Sequence, residues 1–374
     1  MVKLNSATEL VLTAATMPAG QCSYQNNKLL LMTEPVSKKC RIAVDAMGGD
    51  FAPKHELLGA IEALKDDNSF ELILVGDKEK ILSTAKENNI SIDEKLIHHA
   101  SQIIDMHDKP TEAIKSKPDS SLVIGARLVK DKKADAFVSV GNTGAMMAAS
   151  TLIMGRIPGV GRPTIGATFP SVKNKFCLVF DVGASVDSKP QHLFEYAVMG
   201  TIFAREIYYA ENPSIGLMSV GEEESKGNEL SFATMKLLKN SKLNFIGNVE
   251  GRDILQGTAD IIVCDGFVGN VILKFGESVL TFLKSRIKGY ANKGILNKLK
   301  ALVVKGVLKS TLSDMDYETH GGVPLLGVNG ISIIGHGSSS PLAIKNMILR
   351  AKEMHDKNLL SKFEEALKIY AVTQ

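Results

Sequence analysis

The sequence predicts an α/β fold, a mostly parallel sheet with helices on both faces. From Arg41 onward, short β-rich runs alternate with amphipathic segments of helical length, the pattern of parallel strands joined by crossover helices. Several of those runs end directly in a glycine-rich or acidic turn, the form of a strand-to-helix connection in an open sheet. With 44% apolar and 23% charged residues over 374 positions, the chain buries a sizeable core and is not disordered as a whole.

In chain order, strands are expected at 41–45, 71–76, 136–140, 164–168, 176–180, 214–218, 244–247, 260–264 and 331–335. Helices are expected at 52–66, 78–88, 119–132, 143–154, 190–208, 227–240, 267–288 and 341–354. The uncharged stretch Phe137–Met154 approaches the length of a membrane span. Gly141, Asn142, Thr143 and Gly144 interrupt its first half, so a buried strand followed by a helix explains it better. Residues 1–39 are polar and without a sustained period, and Met32 stands shortly before the first strong strand. They read as a disordered extension or a mis-set start codon. Glu9 interrupts the apolar patch a signal peptide needs, and Gln21 before Cys22 fits lipoprotein cleavage poorly. The rest, 40–374, reads as a single catalytic unit.

Cys22, Cys40, Cys177 and Cys264 show no C-x-x-C spacing, which fits a reducing cytoplasm. The histidines are scattered, and no structural metal is expected. The net charge of +3 hides an asymmetry: between Ser278 and Ser313 there are eight basic residues and no acidic one, so the remainder carries −5. In that segment Ile295, Leu296, Leu299, Leu302, Val303 and Val307 fall at helical spacing, with Lys293, Lys298 and Lys300 around them. It reads as an ordinary surface helix, or as one that adheres to anionic lipid or an acidic partner. Nucleic acid is a poorer partner, since few aromatic residues interleave with these lysines.

Four turns should converge on one crevice at the carboxyl ends of the strands. They are Asp45-Ala46-Met47-Gly48-Gly49-Asp50, Gly141-Asn142-Thr143-Gly144, Asp181-Val182-Gly183-Ala184 and Asp265-Gly266-Phe267-Val268-Gly269-Asn270. The Gly141 turn opens a helix, so its free N–H groups can cradle a phosphate or an oxyanion; it also reads as a tight turn. Asn270, in the first turn of its helix, can hydrogen-bond a carbonyl or phosphate oxygen, or belong to a plain cap. Lys226, among Glu222, Glu223 and Glu224, can hold an anion with its orientation fixed by those glutamates, or belong to a solvated loop. Lys189 before Pro190 is a second anion ligand or an exposed cap. His336, in Gly335-His336-Gly337-Ser338-Ser339-Ser340, is an acid–base candidate or a structural residue. No G-x-S-x-G elbow is present, and no cysteine in a glycine turn pairs with a histidine and an acid, so a covalent acyl-enzyme is not supported.

Taken together, these blocks resemble the bacterial phosphate acyltransferases, the acyl-ACP:phosphate transacylases, from about Arg41 to Lys352. The blocks around Asp45, Gly141, Asp181, Glu222, Asp265 and His336 carry the likeness; Ser185 and Ser188 depart from it, where asparagine and cysteine are more usual. The resemblance implies a fold similar to phosphotransacetylase and to the isopropylmalate dehydrogenase group, and a homodimer that passes a fatty acyl group from acyl carrier protein (ACP) to inorganic phosphate; the basic amphipathic segment would hold this otherwise cytoplasmic enzyme on the inner face of the membrane. It needs no cofactor, and it feeds a membrane-bound glycerol-3-phosphate acyltransferase in phospholipid synthesis. On this reading Lys226 and the Gly141–Ala145 loop hold phosphate, Asn270 holds the thioester carbonyl, and Asp45, Gly49 and His336 shape the pocket. Two rivals stand beside it. A nicotinamide-dependent decarboxylating dehydrogenase needs aspartates paired with an arginine cluster, and Arg127, Arg156, Arg162 and Arg205 show no such pairing. A non-catalytic lipid-surface or ACP-binding protein leaves the glycine-rich strand ends unused.

Overall fold

The computed structural model describes residues 39–311 and 321–372; the expected leader, Lys39 apart, lies outside them. The elements in chain order are β1 (Arg41–Asp45), α1 (Lys54–Asp66), β2 (Glu71–Gly76), α2 (Lys78–Glu87), β3 (Ile97–His99), α3 (Pro110–Ser116), α4 (Ser121–Lys130), β4 (Ala136–Ser139) and α5 (Thr143–Ala149). A π-helical turn, Ser150–Met154, prolongs α5. There follow β5 (Thr164–Pro170), β6 (Phe176–Phe180), α6 (Pro190–Tyr208), β7 (Ile215–Met218), α7 (Glu229–Lys239), β8 (Phe245–Val249), α8 (Gly251–Gln256), β9 (Ile261–Val263), α9 (Gly266–Ala291), α10 (Ile295–Thr311), β10 (Val323–Leu326), β11 (Ile331–Ile334), α11 (Pro341–Asp356) and α12 (Leu359–Val372).

The strands form one sheet in the order β3-β2-β1-β4-β11-β10-β5-β6-β9-β7-β8. Successive side chains point to opposite faces, and the core divides accordingly. Ile42, Val44, Leu74, Val138, Phe180 and Ile333 pack on one face with α1, α6, α11 and α12. Ala43, Phe137, Val179 and Ile262 pack on the other with α4, α5 and α8. Helices therefore cover both faces of a mixed sheet.

Pairing is parallel among β3, β2, β1, β4 and β11, and again among β6, β9, β7 and β8. Between these blocks the steps β11–β10, β10–β5 and β5–β6 are antiparallel. An odd number of reversals makes the two blocks run in opposite directions. The expected single crevice at the carboxyl ends is thus corrected: the Asp45, Gly141 and His336 turns leave one end of the sheet, and the Asp181, Lys226 and Asp265 turns leave the other.

The elements β3, α3, α8, β10 and α12 lie outside the sequence expectations. β3 is three residues long and β10 four, with Pro324 inside it, so each exists through its neighbours rather than through its own period. In α12 the buried Leu359, Phe363 and Leu367 do fall at helical spacing. The basic segment is two helices, not one: α9 runs on to Ala291, and residues 292–294, with Gly294 at φ 153°, turn the chain into α10.

Close packing gives a test. A Cβ at Gly125 of α4 would lie 2.1 Å from the fully buried Phe137 ring. Alanine there gains about 1 kcal/mol of helix propensity, but overpacking costs about 1–3 kcal/mol. Gly125→Ala should therefore lower the denaturant midpoint, and adding Phe137→Leu should recover much of the loss. A stabilised single variant would contradict this packing.

Candidate active site

At the first end of the sheet, polar groups are spent on holding turns. Asp45 is buried; it accepts a hydrogen bond from the Ser139 hydroxyl at 2.8 Å and from the Met47 N–H at 3.1 Å. Burial raises its carboxyl pKa, and the hydroxyls of Ser121 and Ser139 with the Met47 N–H oppose the shift. The Ser139 oxygen also accepts from the Gly141 N–H. Gly48 and Gly49 are required sterically: a Cβ on Gly48 would lie 2.9 Å from the Gly141 backbone, and one on Gly49 2.3 Å from Glu56 Oε1. The Gly337 carbonyl accepts from the Asp50 N–H, which joins the His336 turn to the Asp45 turn. His336 itself is exposed, and its Nδ1 accepts from the Ser338 N–H.

Asn142 is consumed by structure. Its Nδ2 donates to the carbonyls of Asp105, Met106 and Asp108, each at 3.1 Å, and its Oδ1 caps α5 through the Ala145 N–H. Thr143 is exposed beside it, and Gly144 gives room to Pro110. This turn therefore offers backbone rather than the Asn142 amide.

Sequence reasoning missed Glu56, on the first turn of α1. It is 1% exposed, its Oε1 accepts from the Gly49 N–H at 3.1 Å, and its Oε2 has no partner. Burial, with the charges of Asp45 and Asp50 adding to it, pushes its pKa up to about 8. Nothing in the helical pattern marks it, because an acid in a first helical turn is ordinary capping chemistry.

At the second end, Asp181 is the organiser. Its buried carboxylate accepts the N–H groups of Gly183, Ala184 and Ser185 at 2.6–2.9 Å. Burial raises its pKa and those donors offset the rise. The start of α9 lies directly on this loop: a Cβ on Gly266 would be 2.0 Å from the Ser185 carbonyl oxygen, and one on Gly269 1.8 Å from that of Asp181. Asp265 is the N-cap of α9, bonding the N–H groups of Phe267 and Val268, so that helix starts at Gly266 rather than near Val268. The same contact places the exposed Asn270 side chain over Gly183, with Oδ1 3.4 Å from where a Cβ would stand.

Lys226 is exposed after β7. Two of its neighbouring glutamates are engaged elsewhere, contrary to expectation: Glu222 pairs with Arg252 at 3.0 Å and Glu224 with Lys239 at 2.5 Å, while the Glu223 carboxylate and the Lys226 stem both lie against Gly221. Instead Asn248, at the end of β8, donates to the carbonyls of Glu223 and Lys226 and clamps the loop by its backbone. Lys189 is exposed at the N-cap of α6, and the 155–163 loop brings Arg156 and Arg162 toward it. Strands β6, β9 and β7 are consecutive in the sheet, so Lys189, Asn270 and Lys226 follow three adjacent strand ends. The structure puts the loops that carry these three at one end of the sheet and leaves Gly141–Gly144 and His336 at the opposite end.

The three described cysteines are buried, and burial pushes the Cys40 and Cys177 thiols up to about 12 and the Cys264 thiol well above its ordinary value. None supplies a ready thiolate. Cys40, Asp135 and His355 lie near enough to share a metal ion, but Arg41 donates to both Asp135 oxygens, at 2.8 and 3.0 Å. On the hairpin, Leu296, Leu299 and Leu302 are 74%, 58% and 64% exposed, among exposed Lys293, Lys298 and Lys300.

Glu56 yields a pH test. Its ordinary carboxyl value is 4.5, so the folded state retains a proton between there and about 8 that the unfolded chain gives up. Stability from this group is therefore lost as pH rises through that window. Glu56→Gln should raise the melting temperature relative to the parent more at pH 8 than at pH 5; equal increments at both would remove this assignment.

Comparison with known proteins agrees with this architecture. The model of a family described as fatty acid synthesis protein matches residues 40–362. The phosphate acyltransferase of Halothermothrix orenii is 46% identical over 87% of this chain and 98% of its own, and that of Chlorobaculum parvum 50% identical over 85% and 96%. Among solved structures, a phosphotransacetylase from Streptococcus pyogenes shares the fold with a TM-score of 0.56 at 17% identity, covering 86% of this chain and 95% of that one. The EutD phosphotransacetylase of Staphylococcus aureus does so at 0.53 and 16%, covering 84% and 94%. The chain belongs to the phosphate acyltransferase family.

Proposed function

We propose that this enzyme transfers the fatty acyl group of acyl-ACP to inorganic phosphate, giving acyl phosphate and free ACP for phospholipid synthesis. A phosphate oxygen attacks the thioester carbonyl carbon, the carbonyl becomes an oxyanion, and the C–S bond then breaks as the thiolate leaves and takes up a proton. The demand is to hold two anionic centres side by side, which preorganised cations and hydrogen-bond donors meet. The observation that carries the reading is the alignment of Lys189, Asn270 and Lys226 after the adjacent strands β6, β9 and β7. Lys226 and Lys189 take the phosphate, and the Asn270 amide takes the thioester oxygen. The high thiol pKa of the described cysteines supports direct attack over a covalent intermediate.

Lys226→Ala and Asn270→Ala should each lower phosphate-dependent release of ACP from palmitoyl-ACP by roughly 10²–10³-fold, with acyl phosphate trapped by hydroxylamine as the product. Near-normal rates in both would reject these roles.

The Gly141–Ala145 loop and His336 stand at the other end of the sheet, so in our reading a homodimer completes the site by facing one end of a protomer with the opposite end of its partner. The exposed basic and apolar hairpin α9–α10 then rests on the anionic inner face of the membrane, where a glycerol-3-phosphate acyltransferase consumes the product. The shared site has its own test. Refolded mixtures of inactive Lys226→Ala and His336→Ala chains should regain about a quarter of the parental rate through random pairing of protomers. Activity no greater than the sum of the two variants would place each site within one chain.

A further inference from the structure

We propose that Arg156 and Arg162, next to the phosphate-binding Lys189, form the docking surface for the acidic face of the carrier protein that delivers the acyl group, an inference that rests on the acyl-ACP reading above. Residues 155–163 connect the end of α5 to β5, and Ile157 and Val160 anchor them, 1% and 5% exposed. The buried Glu195 of α6 accepts the Gly161 N–H at 2.8 Å, which straps this loop to the first turns of α6. Arg156 donates to the Gly161 carbonyl, and Arg162 donates to the Asp187 carbonyl at 2.8 Å. Arg162 is thereby tied to the loop that ends in Lys189. All three cations are exposed, and none makes an ion pair among the described residues.

The surrounding groups leave these cations without an ion-pair partner among the described residues. His192 lies against Gly161, and its Nδ1 accepts the Lys189 N–H at 3.2 Å. Burial, then the charges of Arg162, Lys189 and Arg156, lower its pKa, so one neutral imidazole has three cations about it. The acids at hand are the exposed Asp187 and the buried Glu195, whose carboxyl is raised by burial, occupied by the Gly161 N–H and offset in part by the Arg156 charge.

Two guanidinium groups fixed by backbone carbonyls are preorganised for bidentate contact with carboxylates. They stand beside β6, next to the strand ends that carry Asn270 and Lys226, so a protein docked here presents its thioester to the proposed site. The hairpin lysines differ in kind. They alternate with large exposed apolar side chains, a composition suited to lipid. The surface therefore divides its work: the α6 cluster takes the carrier and the hairpin takes the membrane.

The test is a double dissociation. Labelled holo-ACP is titrated by fluorescence anisotropy at low salt, and flotation is measured with vesicles of phosphatidylglycerol and phosphatidylcholine. Arg156→Glu with Arg162→Glu should weaken carrier binding by about tenfold or more and raise the KM for acyl-ACP in step, with kcat and vesicle binding intact. Retained vesicle binding and an unchanged melting temperature report that this variant is folded. Lys298→Glu with Lys300→Glu should abolish flotation and leave carrier affinity unchanged. Wild-type carrier affinity in the arginine variant, or lost carrier affinity in the lysine variant, overturns the proposal while the acyl-ACP reading stands. If the parent binds no carrier at all, both fall.

Discussion

Three antiparallel steps in the middle of the sheet govern everything that follows. With β10 and β5 inserted between β11 and β6, the two parallel blocks run in opposite directions, and their carboxyl ends face opposite ways. In an open parallel sheet such ends gather ligands on one side. Here each block has its own set of loops: the first carries backbone turns around Asp45, Gly141 and His336, and the second carries the exposed cations and Asn270. A reaction that must stabilise phosphate and an oxyanion together draws in our reading on the second set and, across a homodimer, on the first.

Buried carboxylates shape both ends in the same way. Asp181 collects three backbone N–H groups, Asp45 binds Ser139 and Met47, and Glu56 holds Gly49. Each offsets part of its desolvation with donors supplied by a turn, so the turn is rigid because the acid is buried. Glycine completes the arrangement where main chains touch. Gly266 and Gly269 let α9 sit directly on the Asp181 loop, and that contact, rather than any side-chain bond, brings Asn270 over Gly183.

Charge placement separates the surfaces. The Lys226 backbone is held by a clamp from Asn248 while Glu222 and Glu224 pair with Arg252 and Lys239. A lysine that makes no ion pair among the described residues keeps its charge for a ligand. Arg156 and Arg162 are likewise tied to carbonyl oxygens, which fix their direction without neutralising them. The hairpin lysines have no such framework; they stand among Leu296, Leu299 and Leu302 on helices open to solvent. Rigid cations suit a protein partner, and cations among exposed aliphatic side chains suit a lipid surface.

The sequence by itself determined the α/β class, the main strands and helices, the glycine-rich strand ends and the family, because hydrophobic period and turn chemistry are local and survive in the order of residues. It also marked Asp181, Asn270 and Lys226 by their place after apolar runs. It did not show which end of the sheet each turn occupies, since strand direction is decided by pairing between distant segments such as β10 with β5. Nor did it show that Asn142 is spent on three carbonyls, that Glu56 is buried beside Gly49, or that Arg162 bonds the loop before Lys189. Those contacts join residues far apart in the chain, and only the packed tertiary structure, with its own desolvation and close approaches, sets them.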